Sequence, residues 1–177
     1  MNWKLRLAED LDVPRIAELI PISVRALQAG YYSSAQMEAA LGLVFAVDRQ
    51  LIQDRTYFVA ESEGRLVGCG GWSRRRSLCG GDHGRTCPDE LIDPATDPAR
   101  VRAFFVHPDY ARQGIGRRLL EACETAIREA GFRHVELAAT LAGVPLYAAC
   151  GYLATEQFAV ELPNAPDLPV VRMNKTL

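Results

Sequence analysis

Between Arg102 and Leu120 an apolar run, Ala103-Phe104-Phe105-Val106, leads through a turn into an amphipathic helical pattern. The turn carries Gly114 and Gly116, with Arg112, Gln113, Ile115, Arg117 and Arg118 around them. Glycines at this spacing let the backbone come close to a ligand. The unpaired N–H groups at a helix start, at the positive end of its dipole, form an anion site. Guanidinium groups beside exposed amides add full charge and a forked donor geometry that matches phosphate oxygens. The chemistry expected of the segment is a grip on a phosphorylated cofactor. A dinucleotide fingerprint would need a third Gly where Leu119 stands, and a P-loop would need a Gly-Lys-Ser/Thr run that is absent.

The apolar run, then Val106-x-Pro108-x-Tyr110, then Gly114-x-Gly116 and the amphipathic pattern resemble the acyl-coenzyme A (CoA) signature of the GNAT superfamily of N-acetyltransferases. The resemblance implies transfer of an acetyl group from acetyl-CoA directly to a primary amine, on a small molecule or on a peptide or protein. It implies that residues Arg112 to Arg118 hold the CoA pyrophosphate, largely through backbone N–H groups. Two strands, Arg102 to Val106 and Val135 to Ala139, would splay so that the pantetheine arm lies between them beside Phe104, Phe105 and Val106. Backbone N–H groups at Phe105 or Val106 would then serve as oxyanion donors. Tyr147, in Leu146-Tyr147-Ala148-Ala149-Cys150-Gly151-Tyr152, stands where the family often has a general acid beside the CoA sulfur. The alternative role for Tyr147 is packing on the sheet. Tyr31 and Tyr32 fall where the first two helices form one wall of the acceptor cleft, with core packing as their other reading.

Three positions depart from the family's pattern. Ala111 stands where Gln or Arg is usual, and Thr140 stands where many members carry an Asn that contacts pantetheine, although a hydroxyl can also hydrogen-bond an amide. The strand before the turn is apolar at Ala103, Phe104 and Phe105, where a Glu often serves as base. A base must then come from elsewhere or from a water chain, with His107, Glu61, Glu90, His83 and Tyr57 as nominal candidates. A CoA-binding sensor or interaction module without catalysis is the rival from another class.

These groups need elements to hold them. Leu5 to Leu7 reads as a strand, and Asp12 before Val13-Pro14 as a helix start, the helix running to about Leu19 where Pro21 interrupts. Ser33 or Ser34 would cap a second helix through Gln36, Met37, Ala40 and Leu41. Thr56 to Glu61 and Arg65 to Trp72 form a hairpin around Ser62-Glu63-Gly64, and Gly68, Gly70 and Gly71 suggest a bulge or close backbone approach. Residues 74–100 read as a strand extension with a loop or as a lid-like insertion. Gly114 to Ala130 is a helix ended by Gly131, followed by a strand at His134 to Ala139, a short helix at Val144 to Cys150 and two last strands. This order, with one central βαβ unit, predicts a single α/β (α+β) domain over residues 1–177. Its sheet is mixed and mostly antiparallel, with helices on both faces.

With 177 residues and 49% hydrophobic content the chain can bury a sizeable core. A net charge of −2 argues against a nucleic-acid partner, and no run is apolar enough to predict membrane insertion or export. Three arginines, Arg74 to Arg76, read as a solvated face or an acidic-ligand contact. Five cysteines in no framework fit the cytoplasm. Cys79, His83 and Cys87 lack a fourth ligand nearby, so no metal site is expected. The expected partners are acetyl-CoA and an amine acceptor, with a homodimer left open.

Overall fold

The computed structural model describes residues 3–78 and 89–177. Strand β1 (Lys4–Leu7) leads into helix α1 (Val13–Leu27), which has Pro14 in its first turn. The helix does not stop at Leu19; it runs through Pro21. An internal proline costs about 3 kcal/mol or more. The helix also buries Ile16, Leu19, Ile20 and Val24 along one stripe, at roughly 1.5–3 kcal/mol for each large apolar side chain, which outweighs the lost bond. Helix α2 (Ser34–Ala40) begins as expected, with Ser33 Oγ accepting the Gln36 N–H at 3.2 Å and Gln36 Oε1 accepting the Ser33 N–H at 2.9 Å. The short helix α3 (Arg49–Gln53), capped by Asp48, has no counterpart in the sequence reading.

Strands β2 (Tyr57–Ser62) and β3 (Arg65–Ser73) form the expected hairpin, with Glu63 and Gly64 both at positive φ as a two-residue turn requires. Next come β4 (Ala99–Val106), α4 (Ile115–Glu129), β5 (His134–Thr140), α5 (Val144–Ala149), β6 (Leu153–Val160) and β7 (Leu168–Thr176). The seven strands make one mixed sheet in the order β1-β2-β3-β4-β5-β7-β6. Every pair is antiparallel except β4 with β5. Helix α1 covers one face with a core that includes Cys69, Phe105 and Val170, and α4 covers the other with Leu120, Cys123 and Ile127 against Val101, Val135 and Leu137.

Two irregularities of β4 position the site. Parallel pairing with β5 is confined to Ala99 with Val135 and Arg100 with Glu136, and beyond it the strands part. Arg100 and Arg172 both bond the Glu136 carboxylate, which ties β4, β5 and β7 together where the pairing stops. Farther along β4, Ala103 adopts φ 59° and the register against β3 jumps between Cys69 and Gly71, a bulge of one residue. The buried Tyr57 hydroxyl donates to the Ala103 carbonyl at 3.0 Å and so holds the bulge.

The described flanks of the 74–100 segment meet in one antiparallel bridge between Arg75 and Leu91, outside the named strands. Arg76 N–H donates to Glu90 O and Ile92 N–H to Arg74 O, each at 3.0 Å, while Asp54 receives Arg75 at 2.7 and 2.8 Å. Cys79, His83 and Cys87 lie outside the described residues. Among the described residues no helix is long and apolar enough to cross a membrane, and no group of three potential ligands gathers as for a metal.

Candidate active site

A 3-10 turn at Pro108–Tyr110 follows β4, with His107 Nδ1 accepting the Asp109 N–H. Arg112 and Gly114 then adopt positive φ, at 63° and 84°, and Gly114 is the N-cap of α4 without a side-chain cap bond. The first intrahelical bond runs from Arg118 N–H to Gly114 O at 3.0 Å. The N–H groups of Ile115, Gly116 and Arg117 therefore precede any intrahelical partner, at the positive end of the helix. The Ile115 side chain is buried beneath them; Arg112, Gln113, Arg117 and Arg118 are exposed, and Arg118 leans on Glu121 at 2.7 Å. A Cβ at Gly116 would stand 3.0 Å from Leu146 Cδ2, so this glycine brings α4 close to α5.

Where β4 and β5 part, a cavity of about 190 Å³ opens. Phe104, Phe105, Val106, Gly116, Thr140 and Tyr147 all line it, which brings much of the expected site together. Thr140 Oγ1 and its carbonyl both receive the Gly143 N–H, at 3.3 and 2.8 Å, which shapes the turn into α5. Tyr147 is buried, with its ring held edge-on by Phe104 at 6.2 Å and Tyr152 at 5.9 Å. Burial first, and then the Cys123 and Cys150 thiols, push the Tyr147 phenol well above its ordinary pKa, so it stays protonated at neutral pH and can donate.

Other expected residues are placed differently. Tyr31 is 52% exposed and Tyr32 is buried, and neither lines the cavity. The Tyr32 hydroxyl donates to Pro169 O at 2.7 Å and accepts the Leu141 N–H at 2.9 Å, joining the loop before α2 to β7 and to the end of β5. Phe105 pairs with Cys69 of β3, and Val106 N–H is taken up by Ser23 Oγ at 3.2 Å. Among the described residues, none of the nominal bases lines the cavity. His107 has its ring nitrogens against Arg65 and the Asp109 N–H, Glu61 bonds Arg6, Glu90 pairs with Arg76 at the surface, and Tyr57 is bound to the bulge. His83 lies outside the described residues.

The cavity also contains residues the sequence reading did not select. Arg102 lines it, 6% exposed, with Asp48 Oδ2 at 2.8 Å from its Nε and Ser77 O at 2.8 Å from its Nη1. An arginine between Val101 and Ala103 was the available signal, but its partner is the cap of the unforeseen α3. Ser23, Leu27 and Gln28 enter from the end of α1, where no motif marks them.

A mostly antiparallel sheet excludes the doubly wound dinucleotide fold. The structure is similar to a GCN5-related N-acetyltransferase from Rhodopseudomonas palustris, at 24% identity and TM-score 0.75 over 100% of this chain and 97% of that one. It is similar to the PaiA N-acetyltransferase from Thermoplasma acidophilum in complex with coenzyme A, at 15% identity and TM-score 0.69 over 100% of both chains. It also resembles yncA from Salmonella typhimurium with its cofactor acetyl-CoA, at 17% identity and TM-score 0.64 over 100% of this chain and 95% of that one. A search of curated proteins found no match. Residues 22–152 match the Acetyltransferase (GNAT) family, and the chain belongs to that family.

Proposed function

We propose that the protein transfers the acetyl group of acetyl-CoA directly to a primary amine, with residues 1–177 acting as one domain. The observation that carries this reading is the continuity of one cleft. The open N–H groups at the start of α4 and the phenol of Tyr147 flank the same gap between β4 and β5. The α4 amides suit the CoA pyrophosphate, with Arg112 and Arg117 as added charge. The unpaired edges of β4 and β5 suit the amide-bearing arm, which would lie past Gly116 and Leu146 toward Thr140. As the amine nitrogen bonds the acetyl carbon and the C–S bond breaks, Tyr147 gives a proton to the departing sulfur, and the proton that the new amide nitrogen loses returns through solvent to the phenolate. Val106 N–H can serve the acetyl oxygen only by exchanging Ser23 Oγ for it.

The amine must arrive or become neutral before it attacks. Among the described residues the cavity lining holds neither carboxylate nor imidazole, so solvent takes that proton. The rate should then rise with pH along a limb that follows the acceptor's own pKa, near 10 for an alkylamine. The test is release of free CoA thiol with and without an amine, followed against pH for two amines of different basicity. Amine-dependent release whose limb moves with the amine supports the reading. Acetyl-CoA binding without any amine-dependent release would favour the non-catalytic module.

A further inference from the structure

We propose that Gln28 reads the acceptor, its side-chain amide bonding a neutral hydroxyl or amide group on the amine's skeleton, and that the cavity selects monoamines with an otherwise apolar body. This rests on the acetyltransferase reading above and deepens it. Gln28 lines the cavity and is 8% exposed, yet its Oε1 has no hydrogen-bond partner among the described residues. A buried amide oxygen without a partner is costly, and native structures leave such groups chiefly where something else completes them. The backbone beneath it is fixed. Gln28 N–H donates to Val24 O at 3.1 Å, and Gln28 O accepts the Tyr31 and Tyr32 N–H groups at 2.9 and 3.1 Å. Only side-chain torsions remain to meet a ligand, so little freedom is lost on binding.

The surroundings set the rest of the specificity. Leu27, Val44, Phe45 and Leu78 line the same space. Among the described lining residues only Arg102 is ionised, and Asp48 stands 2.8 Å from its Nε. Among the described lining residues a second ammonium on the acceptor would find no carboxylate facing it, and desolvating that charge unpaired would weaken binding. A neutral group that meets Gln28 ends that atom's isolation.

The test uses the full chain with saturating acetyl-CoA and three probe amines, tyramine, 2-phenylethylamine and spermidine, read by thiol release. Tyramine should have the lowest KM and spermidine the poorest kcat/KM. Gln28→Met should raise the tyramine KM roughly five- to tenfold, the worth of one neutral hydrogen bond, with kcat and the 2-phenylethylamine KM nearly unchanged. Acetyl-CoA affinity by calorimetry should not move. Gln28→Glu should improve spermidine, a gain that damage to the fold would not produce. Equal losses for both aromatic amines, an unchanged tyramine KM, or spermidine as the best acceptor overturns the assignment while leaving the enzyme reading intact. Absence of amine-dependent release from the unaltered protein overturns that reading and this inference together.

Discussion

The two ends of the cleft are built from different materials. The end proposed to face CoA is made of backbone: open N–H groups before Arg118, two residues at positive φ, and strand edges that stop pairing after Arg100 and Glu136. The end proposed for the acceptor is made of side chains from separate segments, with Gln28 just after α1, Phe45 from the loop before α3, Arg102 from β4 and Leu78 beyond β3. Backbone donors serve any ligand with the right oxygens and tolerate change in their neighbours. Side chains choose one body over another and can be exchanged singly.

The largest test of this division falls on Tyr147, the proton donor proposed for the CoA end. Tyr147→Phe keeps the ring between Phe104 and Tyr152 and removes the hydroxyl. Turnover should fall about 10²- to 10⁴-fold while acetyl-CoA affinity and melting temperature hold. Because burial raises its pKa, Tyr147 should impose no loss of activity as pH rises through the ordinary phenol range near 10. Parallel loss of binding and stability would assign Tyr147 to packing instead. Next in size, Gly116→Glu puts a side chain toward Leu146 and a carboxylate beside the amides. Acetyl-CoA affinity should drop roughly a hundredfold, or about 2.7 kcal/mol. Unchanged affinity by calorimetry in a folded variant would remove the cradle.

The same division explains what was legible in the sequence. Backbone devices announce themselves through residue type: Gly114, Gly131 and Gly151 all sit at positive φ, and Ser33 caps the helix it precedes. The central βαβ unit and the hairpin at Glu63-Gly64 were readable for that reason. Pro21 misled because local propensity lost to a buried stripe that is visible only once the sheet beneath it exists. Tyr31 and Tyr32 were chosen by position, but Tyr32 spends its hydroxyl on Pro169 and Leu141, more than a hundred residues away in the chain. Gln28 and the Arg102–Asp48 pair left no motif because their meaning lies in tertiary neighbours. The insertion of β7 between β5 and β6 was likewise not written in any local pattern.

A smaller effect is expected where a side chain supports the backbone end. Tyr57 is fully buried, and its hydroxyl bonds the carbonyl of Ala103, whose φ of 59° is unfavourable for a residue with a Cβ. Tyr57→Phe should cost about 1–3 kcal/mol of stability, because it leaves that carbonyl without its donor. For a chain of this size the melting temperature should fall by about 2–4 °C per kcal/mol. If the bulge also positions Phe104 and Val106, kcat should fall while the acceptor KM stays put. A variant with wild-type melting temperature and turnover would show that the bulge holds itself.

The smallest effect is expected from the charges around the cradle, and it separates the backbone contribution from the cationic one. Arg112 and Arg117 are exposed, and their attraction for a pyrophosphate acts through solvent and is screened over about 10 Å at 0.1 M salt. An exposed ion pair is worth about 0.2–1 kcal/mol, so Arg112→Gln should weaken acetyl-CoA binding only about two- to fivefold at low salt. The difference should shrink toward nothing as salt is raised, whereas the Gly116→Glu defect should persist because part of it is steric. Arg112 carries a second constraint, since it sits at φ 63° and Gln must adopt the same conformation. Arg112→Gly relieves that strain while removing the same charge, and comparison of the two variants separates the effects. Equal, salt-sensitive losses in both place the contribution in the charge. A much larger loss in Arg112→Gln, insensitive to salt, would place it in the shape of the turn and make the cradle a matter of backbone alone.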